Sequence, residues 1–210
     1  MKKVLLSLGV ALLTVAGAQA QTGYGLKAGV NLGKYSNTDN AKNNTSFYVT
    51  GFADLPVASQ FSIQPGISLQ GKGVKGTSSF GDVANIESTT NVMSIEIPVN
   101  AVYYIPTGAS GSVFLGAGPY AGYNISGKTK LTGNVGDYTG DKEWDLDFSG
   151  DDKNMKAFDA GVNFLAGYKL SNGFLINAGY NLGLTNLSPS DNSDNKFSNR
   201  VLSFGVGFQF

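Results

Sequence analysis

From residue 24 onward, apolar positions alternate with small or polar ones at a period of two, the spacing of an extended strand. Eight such stretches can be followed: residues 24–33, 47–54, 61–70, 93–104, 113–124, 158–169, 174–185 and 201–210. In the last, Leu202, Phe204, Val206, Phe208 and Phe210 fall on one side and Ser203, Gly205, Gly207 and Gln209 on the other. In the first, Tyr24, Leu26, Ala28, Val30 and Leu32 oppose Gly25, Lys27, Gly29, Asn31 and Gly33. The stretch 47–54 is the weakest, and there Thr50 and Asp54 set the polar side. A helix would instead repeat its apolar positions with a period of about 3.6.

The connections alternate in length. Residues 55–60, 106–112 and 170–173 are short and hold turn formers such as Ser171, Asn172 and Gly173. Residues 36–44, 71–91, 126–156 and 186–199 are long and rich in Asn, Asp, Ser, Gly and Thr. Barrels of bacterial outer membranes show this asymmetry, with short periplasmic turns and long outside loops. The expectation is an all-β fold: an eight-stranded antiparallel up-and-down transmembrane β-barrel, both termini periplasmic, its apolar face against outer-membrane lipid. Tyr24, Phe61, Tyr103, Tyr168, Phe174, Phe208 and Phe210 then mark one interface, and Phe47, Tyr123 and Phe158 the other. A soluble barrel with the apolar face turned inward is the alternative. It would leave Gly25, Gly29, Gly116, Gly118 and Gly205 facing water, where strands seldom use glycine; the crowded inside of a narrow barrel can.

The N-terminus supports export. Met1, Lys2 and Lys3 form a basic start, residues 4–15 are nearly all apolar, and Ala18-Gln19-Ala20 is a small-x-small cleavage site. Residues 1–20 therefore read as a cleavable signal peptide, too short in apolar length for a membrane helix, and 21–210 as one barrel domain. The signal holds two of the 15 basic residues and none of the 15 acidic ones, leaving 13 against 15, a balance of −2. That excludes a basic face for nucleic acid. Charged residues are 14% of the chain, below the roughly 25% of soluble domains, as a lipid-facing wall requires.

Cysteine and histidine are both absent, which removes thiol chemistry and the base of a Ser/His/Asp triad. The glycines at 116–118 lie within a strand, so no phosphate loop is indicated. Asp145, Asp147, Ser149 and Gly150 match the first half of a calcium loop, but its twelfth position is Lys156 where a bidentate Glu is needed. No enzyme, cofactor or metal is expected. A few charges are read onto the inward face: Lys27, Asp54, Glu96, Asp159, Lys169 and Arg200. In a narrow barrel they pair as a structural plug or line a proton or solute path, because an unpaired buried charge is costly. Trp144, with Tyr138 and Phe148, offers either a surface-loop tip for a protein or glycan partner or a loop packing its own aromatics.

Several short marks occur in order along the chain: GLKAGVNL at 25–32, FADLP at 52–56, FSIQPG at 61–66, IEIPV at 95–99, GAGP at 116–119, YNLGLTN at 180–186 and the terminal Phe210. With these the mature chain resembles the PorT-like outer-membrane β-barrel proteins of Bacteroidota. It departs from them at Gly179, where such proteins often carry a basic residue. The resemblance implies an outer-membrane barrel inserted by the barrel assembly machinery. Three roles stay open: surface loops in structural or interaction work, an accessory part in secretion or transport, and a small ligand-binding barrel.

Overall fold

The computed structural model describes residues 22–37, 41–80, 84–135, 138–150, 153–189 and 196–210; the stretch 1–20 read as a signal lies outside them. Nine strands appear: β1 (Gly23–Tyr35), β2 (Ala41–Ala58), β3 (Phe61–Phe80), β4 (Ala84–Pro106), β5 (Gly111–Val135), β6 (Tyr138–Asp145), β7 (Phe158–Leu170), β8 (Phe174–Gly183) and β9 (Asn199–Gln209). Eight of them form a closed antiparallel ring, β1-β2-β3-β4-β5-β7-β8-β9, in which β9 returns to β1 with Gly25 opposite Gln209 and Tyr35 opposite Asn199. The up-and-down reading of the sequence is thus met. The ninth strand, β6, pairs among the described residues with β5 alone and lies outside the ring.

The start of β1, the end of β9 and the tight turns sit at one end of the ring, here called the turn end. Gly173 closes one of those turns with φ +91, a left-handed conformation that favours glycine, and its N–H donates to Leu170 O at 3.0 Å. At the far end the strands run past the ring. Of the stretch 71–91, read from composition as a loop, residues 71–80 and 84–91 instead continue β3 and β4 as paired strands, with Thr77 opposite Glu87. Much of 126–156 is likewise a hairpin of β5 and β6. Strands that stand clear of a membrane need no apolar face, so their period-two signal is lost while their pairing persists.

The wall has the predicted sense. Leu26, Val30, Phe47, Ile67, Ile97, Leu115, Phe164, Ile176, Phe204 and Val206 are exposed on the outside, whereas Asn31, Thr50, Ser68, Asn100 and Asn163 are buried within. Two apolar clusters lie inside as well. Phe52, Val102, Phe114 and Leu175 fill the lumen, with Tyr104 and Leu165 beside them. At the far end Tyr35, Val92, Met155 and Leu187 form a cap over the mouth, packed by Val74, Leu146, Phe148 and Phe197.

Candidate functional site

The bulkiest fully buried side chain is Lys72. On β3, Ile67 faces out and Ser68 in, and the same parity carried two steps past Gln70 places Lys72 in the lumen. Its ammonium contacts Glu96 Oε1 and lies 2.7 Å from Asp159 Oδ2. The two carboxylates occupy one row across the wall, Glu96 opposite Gly122 and Gly122 opposite Asp159. Gly122 is what makes room: a Cβ there would stand 3.0 Å from Glu96 Cγ. Asp159 Oδ2 accepts from Tyr120 OH at 3.3 Å and from Asn199 Nδ2 at 2.7 Å, while Asn181 Nδ2 donates to Glu96 Oε2 at 3.5 Å. Lys72 also sits 5.0 Å from the Tyr120 ring centroid. Asp159 Oδ1 and the amide oxygens of Asn163 and Asn199 have no protein donor. Two carboxylates against one ammonium leave a formal charge of −1 and spare acceptor capacity.

A second polar cluster lies toward the turn end. Asp54 accepts from Gln64 Nε2 at 3.1 Å, Tyr104 OH at 3.2 Å and Gln209 Nε2 at 2.9 Å. Lys169 donates to Gln209 Oε1 at 3.3 Å and lies over the Tyr104 ring, and Lys27 lies over Phe52. The inward charges read from the sequence therefore separate into two groups. Glu96 and Asp159 surround Lys72, whereas Lys27 and Lys169 accompany Asp54, with a formal balance of +1. Arg200 belongs to neither. Its parity is that of Leu202 and Phe204, so it faces outward while Asn199 and Val201 are buried; its guanidinium donates to Gly183 O at 2.6 Å. Reading it as inward was an error of parity. Lys72 was missed because 71–91 looked like a loop.

The hairpin at the far end carries the other candidate residues. Trp144 is exposed on β6. Phe148 folds back against the cap over the mouth, so it is not part of an aromatic tip. Tyr138 starts β6, and its side chain falls outside the described ones. Along one face Lys128 donates to Glu143 Oε1 at 2.8 Å and Lys130 pairs with Asp141 Oδ2 at 2.8 Å. These bonds hold both lysines above their ordinary range and Asp141 and Glu143 below the usual carboxylate range. Among the described residues, no three metal-ligating acids, histidines or cysteines come together.

A closed ring with an apolar exterior and a hydrophilic interior is the geometry of an outer-membrane barrel. The outer-membrane protein β-barrel domain family matches residues 18–188. The chain belongs to that family. The matched stretch ends before β9, the strand that closes this barrel domain onto β1. Among solved structures the barrel is similar to Neisserial surface protein A (13% identity, 91% of this chain and 98% of that one, TM-score 0.48). It is also similar to the attachment invasion locus protein Ail of Yersinia pestis (11%, 91% and 100%, 0.42) and the N-terminal barrel of OprF from Pseudomonas aeruginosa (15%, 91% and 100%, 0.40). These are distant likenesses, and the fold rests on the strand ring itself. No curated protein matches the chain. Family and wall together make this a small outer-membrane β-barrel protein.

Proposed function

We propose that the barrel is a closed anchor that holds its far end outside the cell, where the paired extensions of β3–β6 serve a structural or interaction role without catalysis. The observation that carries this reading is the contrast between the two parts. The lumen buries Lys72, Glu96 and Asp159, none more than 1% exposed, beside an apolar cluster, whereas residues 140–145 of β6 are all exposed. Turn-end termini would then be periplasmic, as short turns usually are. The native chain has no cysteine, so a single introduced thiol reports sidedness. Ser149→Cys should react with a membrane-impermeant maleimide on intact cells, and Ser171→Cys only after permeabilisation. The reverse pattern would overturn the orientation.

A filled lumen also fixes an electrical outcome. Purified protein in planar bilayers should give no sustained open-channel current at neutral pH. A steady conductance would refute the plug and favour a solute path through Glu96 and Asp159.

An accessory part in secretion or transport, one of the roles the sequence leaves open, draws support from a groove of about 620 Å³ at the turn end. Pro106, Ala109, Ser171, Asn172 and Phe210 line it. A periplasmic partner would meet the barrel there, and crosslinking from Ala109 in intact cells would identify it.

A further inference from the structure

The β5–β6 hairpin ends the sheet. β6 pairs with β5 through Lys128 opposite Asp145 to Val135 opposite Tyr138, and among the described residues its other edge pairs with no strand. The ladder runs one step past Asp145, where Leu146 N–H donates to Gly127 O; the chain then returns, with Asn154 and Met155 N–H donating to Asp147 O, and Met155 enters the cap over the mouth. An unpaired edge of this kind is a row of backbone donors and acceptors ready for another strand.

Charge rows select what that strand is. On one face of the extension, Lys75 on β3 is followed by Glu87 on β4, 3.7 Å away. Next come Lys128 and Lys130 on β5, then Asp141, Glu143 and Asp145 on β6. Sign alternates from strand to strand, and the last row is acidic. Its two neighbouring lysines do not neutralise it, because three carboxylates face two ammoniums and Asp145 lies 3.9 Å from Lys128. Residues 137–152 as a whole contain seven acidic residues and one basic residue, Lys142. A second copy of β6 would bring acid against acid, which is unfavourable across a strand pair. A strand with Lys or Arg at every second position would continue the alternation.

We propose that the free edge of β6 takes up, by strand addition, an extended polypeptide segment with basic residues at alternate positions. Backbone hydrogen bonds supply the register, and Asp141, Glu143 and Asp145 select the side chains. This rests on the display reading above, to which it adds the partner's chemistry.

The chain's one tryptophan, Trp144, lies on β6, so its emission reports binding directly. Full-length barrel in detergent would be titrated with an eight-residue peptide of alternating lysine and threonine. Three controls are its glutamate–threonine counterpart, a peptide of four lysines followed by four threonines, and the alternating peptide N-methylated at every second backbone nitrogen. The alternating lysine peptide should shift the emission and weaken with salt. Each control should bind on the order of tenfold more weakly or not at all. Asp141→Asn/Glu143→Gln/Asp145→Asn should lose about tenfold. Asp145→Asn, which leaves both short hairpin ion pairs in place, should lose roughly twofold to threefold. Equal binding by the N-methylated or block peptide would reduce the effect to diffuse attraction and overturn strand addition. Absence of binding, or no change in the triple variant, overturns it too. If the peptide fails while Ser149→Cys still labels on intact cells, the edge proposal falls and the display reading stands. If Ser149→Cys is protected, the display reading falls whatever the peptide does.

Discussion

Replacing Lys72 by methionine is expected to destabilise the barrel by about 3–5 kcal/mol, the usual cost of stranding one side of a buried ion pair. Lys72 is the one cation in contact with Glu96 and Asp159 among the described residues. The substitution keeps much of the volume, so the loss comes from two carboxylates left buried side by side with no cation against them. Asn199, Tyr120 and Asn181 donate to them but carry no charge. Urea unfolding in phospholipid vesicles, followed by heat-modifiable gel mobility, measures the change. The triple variant Lys72→Met/Glu96→Gln/Asp159→Asn removes all three charges and should recover most of the loss, because an apolar or neutral replacement of a buried ionic group is often nearly neutral. If Lys72→Met alone were as stable as the native barrel, the carboxylates would have to be hydrated and the plug reading would be wrong.

The second large effect tests the sense of the wall. Phe204 lies mid-strand on β9, 46% exposed, opposite Val30 on β1 and Ala178 on β8. Phe204→Arg should cost about 2–4 kcal/mol in vesicles, as a guanidinium on the lipid face near the bilayer midplane does. Asp145→Arg, beyond the ring on the exposed end of β6, should leave barrel stability within about 0.5 kcal/mol of native, as exposed surface changes usually do. The same unfolding measurement decides both. A harmless Phe204→Arg would mean that this face does not meet hydrocarbon.

What the sequence revealed follows from where lipid acts on it. Inside the bilayer every outward residue must be apolar, so parity at Leu26, Ile97, Phe164 or Phe204 reads the wall directly. The alternation also placed Glu96 and Asp159 in the lumen, but only the strand register puts Gly122 between them. Beyond the bilayer that constraint disappears. The extensions of β3, β4 and β5 looked like loops because their faces are Thr, Ser, Asn and Lys, and Lys72 was lost with them. A weaker signal was available: Lys128 and Lys130, then Asp141, Glu143 and Asp145, repeat charge at a spacing of two. The cap at the far end left no pattern at all. Met155, Leu187 and Phe197 come from aperiodic segments, and only the closed chain brings them together. Arg200 shows the opposite case, since its parity was legible and was misapplied.

The long pairing of β5 with β4 has a mechanical consequence. From Tyr123, exposed on the wall, to Val135 at its end, β5 runs thirteen residues, or twelve steps, and β4 accompanies it with one irregularity at Met93. At about 3.3 Å per residue, this gives the hairpin a reach of up to roughly 40 Å along the strand. It is a braced spar with its foot built into the cylinder, not a tethered flap. Anything seated at its tip would be held at a set height above the bilayer, clear of the lipid headgroups, and any tug on it would be passed to the barrel through its hydrogen-bonded ladder.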